Sequence, residues 1–139
     1  MQHEKELTEL LKRQIEYCLF YEGFRSAVFV SVRSKINTVV ECLRTICENQ
    51  SVKDRIVRIR KSETEGYSVE FDNKSIIKVT KIRENQRGQR VHCLVLDDAI
   101  DCEIVNCIIK PMLQPLMIRE TDKEYQKEYI ENAISVVYI

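Results

Sequence analysis

The sequence predicts an α/β fold: a central, mostly parallel sheet flanked by helices, with an antiparallel β-hairpin set into it. Residues 27–32 and 91–96 are short apolar runs, each followed at once by an amphipathic segment, the strand-then-helix order from which parallel sheets are built. Between them the hydrophobic period falls to two, as expected of an antiparallel insert or sheet edge. The 139 residues fit a single domain, 1–139, large enough to bury a real core. No internal repeat, low-complexity segment or long linker interrupts it.

In chain order, Leu7, Leu10, Leu11, Ile15, Cys18 and Leu19 recur every three or four residues and predict a first helix, which Glu22-Gly23 stops near Tyr21. Residues 27–32 form a short buried strand. The next helix places Ile36, Val39, Val40, Leu43, Ile46 and Cys47 on one face, with Ser34 as its N-cap. From Asp54 onward, Val57 and Ile59 alternate with Arg58 and Arg60, then Tyr67, Val69 and Phe71 alternate with Ser68 and Glu70. Asp72-Asn73 turns the chain into a strand over 75–82. After a polar loop over 83–90 comes the central strand, 91–96, and a helix with Ile104, Val105, Ile108 and Ile109 on one face, which Pro111 helps to finish. Thr121 and Glu124 make a capping box for a last helix carrying Tyr125 and Tyr129. Residues 133–139 read as a final apolar strand, expected to need sheet neighbours on both sides.

Composition narrows the function classes. Hydrophobic residues are 44% and charged residues 32% of the chain, and no run approaches the roughly 18 apolar residues of a membrane span, so no membrane partner is expected. The polar, acidic opening residues argue against a signal peptide, and cytoplasm, of a host cell if the protein is phage-encoded, is the expected compartment. Cys18, Cys42, Cys47, Cys93, Cys102 and Cys107 stand at core-like positions without a Cys-x-x-Cys pair, the pattern of free, buried thiols. With two histidines in the chain, and His92 facing out of an apolar strand, neither a zinc cluster nor a histidine-based nucleophile is expected.

Two groups of residues carry candidate chemistry. Asp97 and Asp98 end the apolar run 91–96, and ligands gather at the carboxyl ends of strands in α/β sheets. Two acids there are placed for Mg²⁺, a metal-bound phosphate or a water; the alternative is that Asp98 or Asp101 caps the next helix. The second group is basic. The formal net charge is +0, yet between Lys53 and Arg90 eleven Lys and Arg stand against six Asp and Glu, a local excess of five. Arg58, Arg60, Lys61, Lys78 and Lys81 are the candidates for a phosphate-attracting stripe on the hairpin. Alternating charges on an exposed hairpin face also serve solvation alone.

The string Glu84-Asn85-Gln86-Arg87-Gly88-Gln89-Arg90, the strand ending in Asp97-Asp98, and the helix reaching Lys110-Pro111-Met112-Leu113 resemble the Walker B region of the ATPase domain of tailed-phage large terminases. Residues 27–32 resemble the strand after that family's P-loop helix, residues 67–82 its β-hairpin, and Ile134-Ser135 its coupling motif, so the resemblance spans roughly residues 16–139. It implies a terminase ATPase-core-like fold, P-loop NTPase-like, with Asp97 as the Mg²⁺-associated aspartate and Asp98 where the catalytic glutamate stands. It also implies motor-related roles for Arg87 and Arg90 in sensing nucleotide and for Ser135 in coupling. The alternatives are a salt bridge of the arginines to Glu84 or Asp101 and a local hydrogen bond at Ser135.

The departures from that pattern shape the functional expectation. A P-loop needs a glycine-rich turn ending in Gly-Lys-Ser/Thr, but none of Gly23, Gly66 and Gly88 precedes a lysine. Asp98 is one methylene shorter than a glutamate, and a displacement of that order costs about a hundredfold in rate. The terminase nuclease domain is missing as well. The expectation is a degenerate terminase-like core without ATP hydrolysis or a cofactor of its own, acting by binding DNA through the basic hairpin face or a phage packaging protein, with a homo-oligomer also compatible. One alternative is a phage-encoded inhibitor of a host defence protein. Another is a fragment of an active packaging motor, in which Mg²⁺ and ATP would return to Asp97 and Asp98. A phosphodiester enzyme using Asp97, Asp98 and Glu103 or Asp101 ranks below these.

Overall fold

The structure, a computed structural model, describes residues 2–62, 66–82, 90–113 and 133–139. In chain order these form α1 (Gln2–Phe20), β1 (Arg25–Val30), α2 (Ser34–Cys47), α3 (Gln50–Lys53), β2 (Ile56–Ser62), β3 (Gly66–Phe71), β4 (Ile76–Lys81), β5 (Cys93–Asp97), α4 (Cys102–Ile104) and β6 (Ile134–Val137). After α4 the helical path widens to a π turn at Val105–Ile109 and tightens to a 3-10 turn at Lys110–Met112, where Pro111 sits. The sheet has six strands in the order β2-β3-β4-β1-β5-β6. β1 pairs in parallel with β4 and β5, and β5 with β6, while β3 runs antiparallel to both β2 and β4. The α/β class and the antiparallel insert are therefore present as a six-stranded mixed sheet.

Alternation along the central strands divides the core in two. Val28, Val30, Val69, Ile77, Val79 and Val95 face the cluster that also holds Leu7, Leu11 and Ile15 of α1 and Val39 and Leu43 of α2. Ala27, Phe29, Leu94 and Leu96 face the other way, onto Ile100, Ile109 and Met112. The near-continuous apolar runs of β1 and β5 follow from this, since both faces of a central strand are covered. Each fully buried leucine or valine contributes about 1.5–3 kcal/mol by leaving water.

The carboxyl end of α1 is closed by side chains from the distant hairpin. Asn73 Nδ2 donates to the Cys18 and Tyr21 carbonyls at 2.7 and 3.2 Å, Ser75 Oγ to Tyr21 O at 2.7 Å, and Arg55 Nη1 to Leu19 O at 2.9 Å. These satisfy carbonyls that the helix itself leaves open, and Arg55 adds a positive charge at the negative end of the dipole. Gly23 supplies the stop, with φ +69. Its N–H donates to Asn73 O at 3.0 Å, locking the turn to the β3–β4 connection.

Several expectations are corrected. The first strand is Arg25–Val30 rather than 27–32, because the chain leaves the sheet at Ser31 and Val32 is exposed. Ser34 is the first helical residue and not the cap: Arg33 at the N-cap is already in the right-handed helical region, and no side chain caps α2. β6 has one neighbour among the described residues, β5, and lies at a sheet edge instead of between two strands. Cys102 and Cys107 are exposed, whereas burial pushes the thiols of Cys18 and Cys93 up, that of Cys93 to about 11, and keeps them protonated. β2 buries neither face beyond Ile56, since it is the opposite edge and bulges between Ile56 and Arg58. The expected capping box at Thr121 and Glu124 and the helix with Tyr125 and Tyr129 lie outside the described residues.

Two glycines test the turn geometry. Gly66 has φ +93, and a Cβ there would sit 2.1 Å from the Val79 carbonyl oxygen, while at Gly23 it would meet nothing within 4 Å. Gly66→Ala should therefore cost about 3 kcal/mol or more, and Gly23→Ala only the left-handed backbone penalty of about 1–2 kcal/mol. Urea unfolding of the two variants measures the difference.

Candidate functional site at the carboxyl edge

The parallel strands end together at one edge of the sheet, and β1 and β5 are neighbours there. The turn after β1 consequently lies against the end of β5. Ser31 donates to Asp97 Oδ2 through its backbone N–H at 2.9 Å and its hydroxyl at 2.5 Å. Lys35, in the first turn of α2, reaches the same oxygen at 2.9 Å and Ser31 Oγ at 3.2 Å. The other oxygen, Oδ1, accepts from Ala99 N–H at 3.1 Å.

Asp97 is buried, and burial by itself pushes a carboxyl pKa up. The Ser31 hydroxyl, the Lys35 ammonium and the backbone N–H groups of Ser31 and Ala99 outweigh it and hold the pKa down at about 2. The carboxylate is thus ionised and enclosed by donors. A divalent cation would have to displace Lys35 or Ser31 from Oδ2 to bind there. Asp97 joins two parts of the chain distant in sequence, the β1–α2 junction with its Ser31 and Lys35, and the end of β5.

Asp98 does not share this site. Its side chain is exposed, and its N–H donates to Val137 O at 3.0 Å, extending the β5–β6 pairing. Asp97 is the last residue of β5 and is buried, whereas Asp98 opens the turn that follows and is exposed. Asp101 takes the capping role, accepting from Glu103 N–H at 2.7 Å at the start of α4. Among the described residues no group of three or more His, Cys, Asp or Glu could hold a metal ion. His92 is half-buried rather than outward: its Nδ1 accepts from Arg25 N–H at 2.9 Å, and burial, then Arg25, lowers its pKa.

Of the residues with resemblance-implied motor roles, Arg90 and Ser135 can be placed relative to Asp97. Arg90 is exposed at the amino end of β5, opposite to Asp97, and Arg87 lies outside the described residues. Ser135 registers with Val95, and Val137, two residues on, with Asp97.

Register sorts the five basic candidates into two sets. Arg58 pairs with Glu70, Arg60 with Ser68, and Ser68 with Lys78, so these cations share one face across β2, β3 and β4. Lys61 pairs with the buried Tyr67, and Lys81 with the buried Val30, which puts both on the opposite face, that of α1 and α2. On the first face Arg58 has a loose ion pair with Glu70 at 3.9 Å, an exposed contact of small energetic worth.

Sequence reasoning missed Ser31 and Lys35. Their i, i+4 spacing across a strand-to-helix junction is a usable signal, but it points to Asp97 only once β1 and β5 are known to be neighbours. Comparison with protein-family models, curated proteins and solved structures finds no match to the chain.

Asp97→Asn should cost about 2–4 kcal/mol, because it removes the charge that Lys35 and Ser31 enclose, while Asp98→Asn should stay within about 0.5 kcal/mol. The pH dependence has a fixed sign. A folded pKa of about 2, below the ordinary aspartate value of about 3.9, gives stability of about 2 kcal/mol that is fully present above about pH 4. It is lost as pH falls through about 2. Denaturant titrations at several pH values should show this acid loss in the wild type and its weakening in Asp97→Asn.

Proposed function

We propose that this chain binds nucleic acid through Arg58, Arg60 and Lys78 on a terminase ATPase-core-like sheet, and performs no ATP hydrolysis of its own. The observation that carries the reading is the shared face of these cations. Neighbouring strands are about 4.8 Å apart and alternate residues on a strand about 7 Å. The cations are therefore spaced on the order of 7–10 Å, a distance over which one DNA strand presents two or three phosphates. Asp97 supports the second half of the proposal: its carboxylate is a joint between the β1–α2 junction and β5, and Asp98 is exposed in the turn that follows.

A protein partner, from a packaging apparatus or a host defence complex, is the second reading. It is favoured by Val57 and Ile59, which are 64% and 49% exposed on the edge strand β2, an arrangement suited to pairing with another chain.

Fluorescence anisotropy with a labelled DNA duplex tests the first reading. Affinity should fall with salt on a log-log plot with a slope of about −3, from three neutralised phosphates. Reversing all three charges, in R58E/R60E/K78E, should weaken binding at least about tenfold and flatten the slope. Absence of binding at low salt, or an unaltered affinity in the triple variant, would leave the protein-partner reading. Phosphate release from Mg-ATP should equal the buffer rate, and turnover that disappears in Asp97→Asn would contradict the proposal.

A further inference from the structure

A cleft of about 590 Å³ lies between α2 and the β2–β3 end of the sheet, on the face opposite to Arg58, Arg60 and Lys78. Its α2 wall is a single helical stripe that begins at Arg33, continues through Ile36, Asn37, Val40 and Glu41, and ends at Arg44. At 1.5 Å per residue this wall is about 16 Å long. The facing wall carries Lys61, Ser62, Gly66 and Tyr67. Asp97 is not among the lining residues.

Among the described residues lining the cleft the charge is one-sided: Glu41 is the one acid, and Arg44 holds it at 3.5 Å. Burial raises the pKa of the Tyr67 phenol, and the Arg44 guanidinium opposes that rise. Arg33 and Lys61 are exposed and have no acidic partner among the described residues. Arg33 is the N-cap of α2, a helix of 14 residues that no side chain caps, so the positive end of its dipole adds to that cation, while Lys61 lines the facing wall. Ser34 and Asn37 supply further donors. Ile36, Val40 and Tyr67 provide an apolar stretch beside this polar end. A volume of this size falls within the ~300–1,000 Å³ of ordinary small-ligand sites.

We infer that this cleft binds a phosphate monoester of nucleotide size, its phosphate held by Arg33, Lys61 and the first turn of α2, and its organic body resting on Ile36, Val40 and Tyr67. A dianionic phosphate matches two cations without an acidic partner among the described residues, one of them at a helix amino end, better than a carboxylate does, because three oxygens accept from separate donors. Two sources present this chemistry: a free 5′-mononucleotide and the 5′-phosphorylated end of a nucleic-acid strand. The site is separate from the basic face proposed to hold a DNA backbone.

Isothermal titration at low salt with 5′-AMP, adenosine and inorganic phosphate tests the inference. AMP should bind at least about tenfold tighter than either of the others, since each lacks half of the contacts. R33E/K61E should weaken AMP at least about tenfold, with Lys61→Ala as a milder second variant, whereas R58E/R60E/K78E should change it less than about twofold. A tetrathymidylate carrying a 5′-phosphate, compared with its 5′-hydroxyl form, assigns the source: tighter binding than AMP identifies a strand end, weaker binding a free nucleotide. Equal affinity for AMP and adenosine, no binding of AMP at millimolar concentration, or wild-type affinity in R33E/K61E would overturn the inference. Loss of AMP binding would leave duplex binding at Arg58, Arg60 and Lys78 untouched, so the two proposals fail separately.

Discussion

A carboxylate enclosed at the end of a sheet is stable only where donors replace the water it has lost, and at Asp97 they come from three places in the chain. Ser31 donates from the turn after β1, Lys35 from α2, and Ala99 from the turn after β5. The requirement fixes how α2 leaves the sheet. With Ser31 held against β5 and Lys35 pointing back to it, Arg33 is drawn into helical geometry and becomes the N-cap, leaving the amino end of α2 without a side-chain cap. The same constraint gives the stripe from Arg33 to Arg44 its position over the β2–β3 end of the sheet.

Much of this architecture was legible in the sequence, for physical reasons that differ by element. α1 and α2 bury one stripe each, so their 3.6-residue period survives in Leu7, Leu11 and Ile15 and in Val39, Leu43 and Ile46. β3 covers one face only, and Tyr67, Val69 and Phe71 alternate cleanly. β2 reads the same way in sequence but is exposed on both sides, because burial is set by what packs on a strand and not by its own pattern. Strand order is a long-range property, and it decided what local pattern could not: that β6 has β5 as its one neighbour among the described residues, and that Ser31 and Lys35 meet Asp97.

The candidate site divides along the same line. The Asp97-Asp98 pair resembled a metal-binding tip because adjacency in sequence suggested adjacency in space. The strand ends between them, leaving Asp98 exposed in the turn, and the buried acid is taken up by a lysine that the local pattern gave no reason to include. The basic hairpin was easier to recognise, since charge excess is a compositional property. Its partition into Arg58, Arg60 and Lys78 on one face and Lys61 and Lys81 on the other follows from register, and gives the two faces separate chemistry.

The most direct measurement is amide chemical-shift mapping of the isotope-labelled protein titrated with a short DNA duplex at low salt. If the exposed β-face is the working surface and Asp97 a joint, shifts should cluster at Arg58, Arg60, Ser68, Glu70 and Lys78, with Ser31, Lys35 and Asp97 unmoved. Shifts concentrated at Ser31, Lys35, Asp97 and Asp98, with the β2–β4 face silent, would contradict the account and return the ligand to the end of β5.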